Sequence, residues 1–216
     1  MSYSIIAISI SIIIAYLLGS IPTGIWYGVK FHGIDLREHG SGNTGATNTF
    51  RVLGKRAGII VLLVDIIKGL SATMLAMGLL KLGYIYPGEL VTFKLLLGLI
   101  AVLGHVFSMF LGFKGGKGVA TLLGVVLAVE PFAALICMVV FLIVLVASKY
   151  VSLSSILGTL SFPLILTLSP RFRTDEPVLI VFGFMLSLLI IITHHKNIKR
   201  IIEGSENKTH LINRWK

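Results

Sequence analysis

Along the 216 residues, long uninterrupted apolar runs alternate with short polar stretches. An apolar run of about 20 residues is long enough to cross a hydrocarbon layer of roughly 30 Å as a helix, the form that satisfies its own backbone in lipid. The pattern predicts an all-α polytopic integral membrane protein, a single domain over 1–216 with seven transmembrane helices. The spans run from about Tyr3 to Gly28, Ala57 to Leu80, Thr92 to Phe113, Gly118 to Val129, Pro131 to Ala147, Val151 to Leu168 and Pro177 to Thr193. The fourth is the weak one, because a dozen residues at about 1.5 Å each reach only part-way across. It reads as a tilted short helix or as a half-helix whose amino terminus faces a cavity.

Composition agrees with the pattern: 56% of residues are hydrophobic, 13% are charged, and the mean hydropathy is +0.96. A soluble chain of this length buries one core and has no place for several such runs. The single cysteine, Cys137, lies inside an apolar run, reads as a core thiol and excludes an intrachain disulfide. No basic region precedes the first run and no small-residue cleavage site stands out, so that run is expected to stay in the mature protein.

Charge then orients the spans. With the first span running inward, 14 Lys and Arg residues fall inside (Lys30, Arg37, Arg51, Lys55, Arg56, Lys114, Lys117, Lys149, Lys196, Lys199, Arg200, Lys208, Arg214 and Lys216). Four fall outside, Lys81, Lys94, Arg171 and Arg173, and Lys68 lies within the second span. The positive-inside rule therefore predicts an N-terminus outside and a C-terminus in the cytoplasm. The net charge of +10 is explained by topology and by attraction to anionic lipid, with no nucleic acid as partner.

That orientation places three unusual segments on the cytoplasmic side: GSGNTGATN at 40–48, FKGGKGVAT at 113–121 and HHKNIKRIIEGSENK at 194–208. The external connections look like ordinary turns, and three remote segments on one face suit a pocket between helices. Gly40, Gly42 and Gly45 spell GxGxxG, with Asp65 20 residues on, but no strand precedes them and Asp65 lies in a span, which excludes a dinucleotide fingerprint. The glycines still let the backbone turn successive amides toward an anion, and Ser41, Asn43, Thr47 and Asn48 add neutral donors. Gly112 to Lys117 is one residue short of a Walker loop, and Gly118 stands where the metal-binding hydroxyl belongs. What remains is a Gly115-Gly116-Lys117-Gly118 turn opening a helix, where amides, helix dipole and lysine favour phosphate.

Other polar groups carry two readings each. Asp65 and Lys68, three apart inside the second span, either line a polar cavity or form an ion pair that orients the helix. His105, beside Gly104, is either buried and hydrogen-bonded or close to the pocket, with the structural role favoured. His194 and Asn197 share a face if the last span continues as a helix, and a histidine at a membrane boundary is commonly an anchor. No metal-ligand cluster and no cofactor motif stands out.

SIPTG at 20–24, GSGNTGATN, GHVF with FKGGKGVAT, and HKNIKRIIEGSENK resemble, in order and spacing, the bacterial acyl-phosphate:glycerol-3-phosphate acyltransferases of the PlsY type. The likeness covers essentially the whole chain, and His195 departs from it where a basic residue is often found. It implies a multi-pass enzyme of the bacterial inner membrane, with its active site at the cytoplasmic face. The reaction it implies moves a fatty acyl group from acyl phosphate to the 1-hydroxyl of sn-glycerol 3-phosphate, giving 1-acyl-glycerol 3-phosphate and phosphate. The implied partners are these two substrates and membrane lipid, with no obligate protein partner. Neither acyl-CoA nor acyl carrier protein is implied as the direct donor, and none of the six histidines has the Asp five residues later that acyl-CoA-dependent acyltransferases use.

On this resemblance Gly115, Gly116, Lys117, Gly118 and Thr121 bind one phosphate. Ser41, Gly42, Asn43, Thr47, Asn48 and Arg51 hold the other phosphate and the glycerol, and His194, Asn197 and Glu206 complete that site. Ser41, Asn48, Lys117, His194 and Asn197 are the residues expected to act in catalysis. Acyl phosphate is a mixed anhydride whose leaving group departs readily, so the demand is for donors at the tetrahedral oxyanion. The proton acceptor is either His194 or a substrate phosphate oxygen. No Ser-His-Asp or Cys-His arrangement points to a covalent intermediate. A transporter would need a midplane site and an inverted repeat, neither of which is visible, and a lipid-binding scaffold leaves three glycine- and amide-rich segments unexplained.

Overall fold

A computed structural model describes residues 2–169, 171–172, 174 and 176–209. The described residues form α-helices joined by short loops, in two compact units, Met1–Val129 and Glu130–Lys216. The first unit contains α1 (Ser2–Ser20), α2 (Thr23–His32), α3 (Ala46–Leu53), α4 (Lys55–Lys81), α5 (Leu90–Val106) and α6 (Val119–Val129). The second contains α7 (Pro131–Ser148), α8 (Val151–Leu168), α9 (Pro177–Thr193) and α10 (His195–Ile202).

The seven-span expectation is corrected. Four stretches are long and apolar enough to cross a membrane, Lys55–Lys81, Pro87–Leu111, Pro131–Ser148 and Val151–Leu168, or up to six if the bent pairs α1–α2 and α9–α10 each count as one span. The expected fourth span is α6, whose 11 residues rise about 16 Å, roughly half a hydrocarbon layer. Without it, the span count no longer supports an external N-terminus and a cytoplasmic C-terminus. Arg173, Arg214 and Lys216, which entered the charge count, lie outside the described residues.

The first span is also broken. It bends by 45° between α1 and α2. Pro22 lacks an amide hydrogen and disfavours helical backbone at Ile21, so the i to i−4 ladder stops there. In the second unit α9 bends into α10 by 62° at His194.

Helix contacts in the first unit rest on small residues, as expected where lipid removes the hydrophobic drive and close packing must replace it. A methyl group on Gly69 would strike the Thr121 carbonyl of α6, and one on Gly124 would strike the Ile66 carbonyl of α4. Gly19 and Gly104 seat α1 against α5 in the same manner, through the Ala101 and Tyr16 carbonyls. Ala15, Ala72, Ala76, Leu79, Leu97 and Ala101 form the buried core between α1, α4 and α5. Exposed apolar side chains such as Ile10, Leu63 and Ile67 face outward, where lipid replaces water.

Candidate active site

The glycine-rich loop before α3 is built around one side chain. Asn48 is buried; its Oδ1 accepts the Ser41 amide at 2.9 Å, and its Nδ2 donates to the carbonyls of Leu36 at 3.1 Å and His39 at 3.0 Å. Gly40 and Gly42 have φ of +64° and +70°, and a Cβ on Gly40 would run into the Asn48 amide. Asn43 Oδ1 accepts the Gly45 amide at 3.0 Å, turning the chain into α3. Ser41, Gly42, Thr47 and Arg51 are exposed around this frame, and Asn43 is half-buried. Asp35 accepts Nε and Nη2 of Arg37, and these hydrogen bonds hold its carboxyl below the usual carboxylate range.

The second segment folds back on the end of α5. The Gly115 amide donates to the Val106 carbonyl at 2.9 Å and the Gly116 amide to the His105 carbonyl at 3.0 Å. These two amides, expected to face a phosphate, are therefore engaged within the protein. Lys117 beside them is half-buried, and the amides of Val119, Ala120 and Thr121 open α6, where a helix has no acceptor of its own to offer. Gly118, at φ +84°, packs on Val102, and the buried Thr121 hydroxyl lies 3.2 Å from His105 Nδ1.

The two loops converge. A recess in the first unit is lined by Ser20 and Thr23 at the helix break, Thr44 of the first loop, Asp65 of α4, His105 of α5, and Ser108 and Gly115 of the second. Ser108 Oγ donates to the Ser20 carbonyl at 2.5 Å, tying the helix break to the second loop. The rings of Trp26 and Phe110 meet at a tilt of 57°, with centroids 5.6 Å apart.

The third segment belongs to the second unit. Glu206 accepts from Asn197 Nδ2 at 2.6 Å, Arg200 Nε at 2.7 Å and Ser152 Oγ of α8 at 2.8 Å. Burial opposes ionisation of Glu206, but the bonds from Arg200, Asn197 and Ser152 outweigh it and hold its carboxyl below the usual range. His194 is buried at the α9–α10 bend, with Nδ1 2.8 Å from the Ile190 carbonyl. A carbonyl only accepts, so Nδ1 carries the proton in the neutral ring and Nε2 is the basic nitrogen.

Because Glu206 has a lowered folded pKa, the fastening it provides is fully present above an unfolded value of about 4.3 and is lost as pH falls through the lower folded value. The difference in melting temperature between the wild type and Glu206→Gln is expected to be about 2–4 °C at pH 7 and to shrink progressively as pH falls below about 4.3. Melting curves across that range in detergent test it; a gap that persists in acid contradicts the assignment.

Sequence reading missed several polar groups here. Ser152 and Ser108 gave no signal, being ordinary hydroxyls in apolar surroundings. Arg200 carried one, since it lies three residues after Asn197 on one helix face. Among the described residues, no group of three His, Cys, Asp or Glu side chains is placed to hold a metal ion.

Comparison with known proteins places this geometry in context. Residues 9–204 match the family model described as glycerol-3-phosphate acyltransferase. The chain is similar to the glycerol-3-phosphate acyltransferase of Chlorobaculum tepidum, 43% identical with 91% of this chain and 94% of that protein covered. It is 47% identical to the enzyme of the same description from Trichlorobacter lovleyi, with 90% and 93% covered. A crystal structure of PlsY (YgiH), an integral membrane glycerol 3-phosphate acyltransferase in its glycerol 3-phosphate form, superposes with a TM-score of 0.80 at 39% identity, covering 94% of this chain and 96% of that one.

Proposed function

The chain belongs to the glycerol-3-phosphate acyltransferase family, and from that premise we propose that its chemistry takes place where the two glycine-rich loops of the first unit meet, at the cytoplasmic face. It is a multi-pass enzyme of the bacterial inner membrane. It transfers a fatty acyl group from acyl phosphate to the 1-hydroxyl of sn-glycerol 3-phosphate, releasing 1-acyl-sn-glycerol 3-phosphate and phosphate. Residues 1–216 act as one catalytic domain. The observation that carries the location is the recess that Thr44 and Gly115, 71 residues apart in the chain, both line.

The facing rests on charge within the first unit. Lys30, Arg37, Arg51, Lys55, Arg56, Lys114 and Lys117 belong to the loops and helix ends around the recess, whereas Lys81 ends α4 and Lys94 bonds the end of α6 at the far end. Seven against two is the asymmetry of a cytoplasmic surface.

In this reading the phosphate of the acyl donor lies on Lys117, Gly118 and the start of α6 at Thr121, with Gly115 and Gly116 shaping the turn. Arg51, Thr47, Asn43, Gly42 and Ser41 take glycerol 3-phosphate, and Asn48 holds the loop that presents them. For the second unit the family resemblance assigns His194, Asn197 and Glu206 to glycerol 3-phosphate, and there Glu206 orients Asn197 and Arg200. The glycerol hydroxyl oxygen attacks the acyl carbon, the carbon–oxygen bond to phosphate breaks, and phosphate leaves with the electron pair. The hydroxyl proton passes to His194 Nε2 or directly to a phosphate oxygen. Donors from Ser41 and its loop stabilise the tetrahedral oxyanion, and alignment supplies the rest.

Purified protein in detergent with palmitoyl phosphate and glycerol 3-phosphate is expected to release phosphate only when both substrates are present. Lys117→Ala is expected to raise the half-saturating acyl phosphate concentration about tenfold, the loss of one charge-assisted bond. No release by the wild type, or an unchanged variant, argues against the reading.

A further inference from the structure

Beside the recess lies an ion pair whose bonds reach beyond its own helix. Asp65 and Lys68 on α4 are 2.9 Å apart, with side chains only 3% and 4% exposed. Lys68 Nζ also donates to the Ile21 carbonyl at 2.9 Å, at the point where α1 stops. Thr23 Oγ1, at the start of α2, donates to Asp65 Oδ1 at 3.2 Å. His105 Nδ1 stands 3.9 Å from the same oxygen.

Two of these partners, His105 and Thr23, lead to the glycine-rich loops. The His105 carbonyl receives the Gly116 amide, and its ring abuts the Gly116 α-carbon. Next to Thr23, Gly24 packs against the Thr44 carbonyl and the Thr49 hydroxyl. A pair that only oriented α4 would need neither the Ile21 carbonyl nor Thr23. A broken helix in lipid leaves carbonyls without donors, which costs several kcal/mol per group on the order of other unsatisfied polar atoms, and a buried ammonium answers that need. The break also leaves Ser20 Oγ as the buried side-chain polar atom without a hydrogen-bond partner among the described residues, at the wall of the recess.

We infer that the Asp65–Lys68 pair is a positioning element that holds the glycine-rich loop of Thr44 and the glycine–lysine loop of Gly116 in register, and so sets substrate affinity. This rests on the acyl-transfer reading above. Removing either charge alone leaves the other buried and uncompensated, whereas removing both is commonly tolerated by the fold. The double variant Asp65→Asn/Lys68→Met is therefore the decisive one.

Full-length wild type, Lys68→Met, Asp65→Asn, the double variant and Ser187→Ala, a buried hydroxyl of the second unit, are compared in detergent. Two quantities are read: the half-saturating glycerol 3-phosphate concentration in phosphate release, and the glycerol 3-phosphate concentration giving half-maximal thermal protection without acyl phosphate. Both are expected to rise about tenfold or more in the double variant and in each single variant that folds, and to stay at the wild-type value in Ser187→Ala. A double variant with wild-type values, differing only in melting temperature or maximal rate, overturns the inference. Wild type that is protected by glycerol 3-phosphate but releases no phosphate refutes acyl transfer, while the protection series still decides the role of the pair. Wild type that shows neither refutes both.

Discussion

Asn48→Ala is expected to lower phosphate release by roughly 100 to 1000 fold, the cost of losing a placed oxyanion donor, while leaving the helices intact. Asn48 makes three bonds, to the Ser41 amide and to the Leu36 and His39 carbonyls, so alanine leaves three backbone groups of residues 36–41 without their partner. Each unmade bond at a buried group costs about 1–3 kcal/mol, more than a short glycine-rich loop can recover from solvent without changing shape. Gly40 and Gly42 sit in left-handed backbone, and the Asn48 amide packs on Gly40 and bonds the Ser41 amide between them, so the change spreads to Ser41. The helices lose nothing directly, because the side chain bonds only to the loop. Phosphate release alongside circular dichroism in detergent separates the two effects. A variant with a wild-type rate sinks the assignment, and one that loses its helical signal makes Asn48 a folding residue.

Gly116→Ala is expected to cost about 100-fold in turnover per acyl phosphate, whereas Gly112→Ala, four residues earlier, stays within about threefold of the wild type. The added methyl at residue 116 meets His105 Nε2. That ring is buried and held by Thr121 and Asp65, so it has nowhere to retreat. The loop cannot back away either without giving up the bond from the Gly116 amide to the His105 carbonyl. At Gly112, φ is +59° and the space around a methyl is open, so alanine there carries only backbone strain of about 1–2 kcal/mol in an exposed turn. The comparison isolates the contact with His105 from the general loss of a glycine. Equal effects at the two positions would mean that loop flexibility, and not the packing on His105, matters.

Much of the molecule is legible before any coordinates. The runs that became α4, α7 and α8 carry their own length and hydropathy, and the structure keeps each as one helix. The fourth run was too short to cross, and tertiary contact explains why it is nonetheless a helix: Gly124 and Gly69 let α6 lie directly on α4. The break in the first run was not anticipated, although SIPTG contains its cause in Pro22. A proline in a membrane helix can be absorbed as a kink, and only the structure shows that the helix stops at Ser20 and restarts at Thr23, with the Lys68 ammonium on the Ile21 carbonyl.

Within the site, the glycine-rich segments could be recognised as polar and anion-friendly, but not which of their groups are already engaged. The Gly115 and Gly116 amides, attractive as phosphate donors from spacing alone, close onto α5, and Asn48 serves the backbone of its own loop. Asp65 and Lys68 had two open readings, and their external partners Ile21 and Thr23 speak for more than a helix-internal pair. By itself the sequence determined the membrane setting, the helical class and the segments able to carry phosphate chemistry, because hydropathy and composition add up locally along the chain. Only the tertiary structure decided which donors and acceptors are consumed, where the first span breaks and which segments share a recess. Hydrogen bonds pair atoms remote in sequence, and no local sum contains the partner.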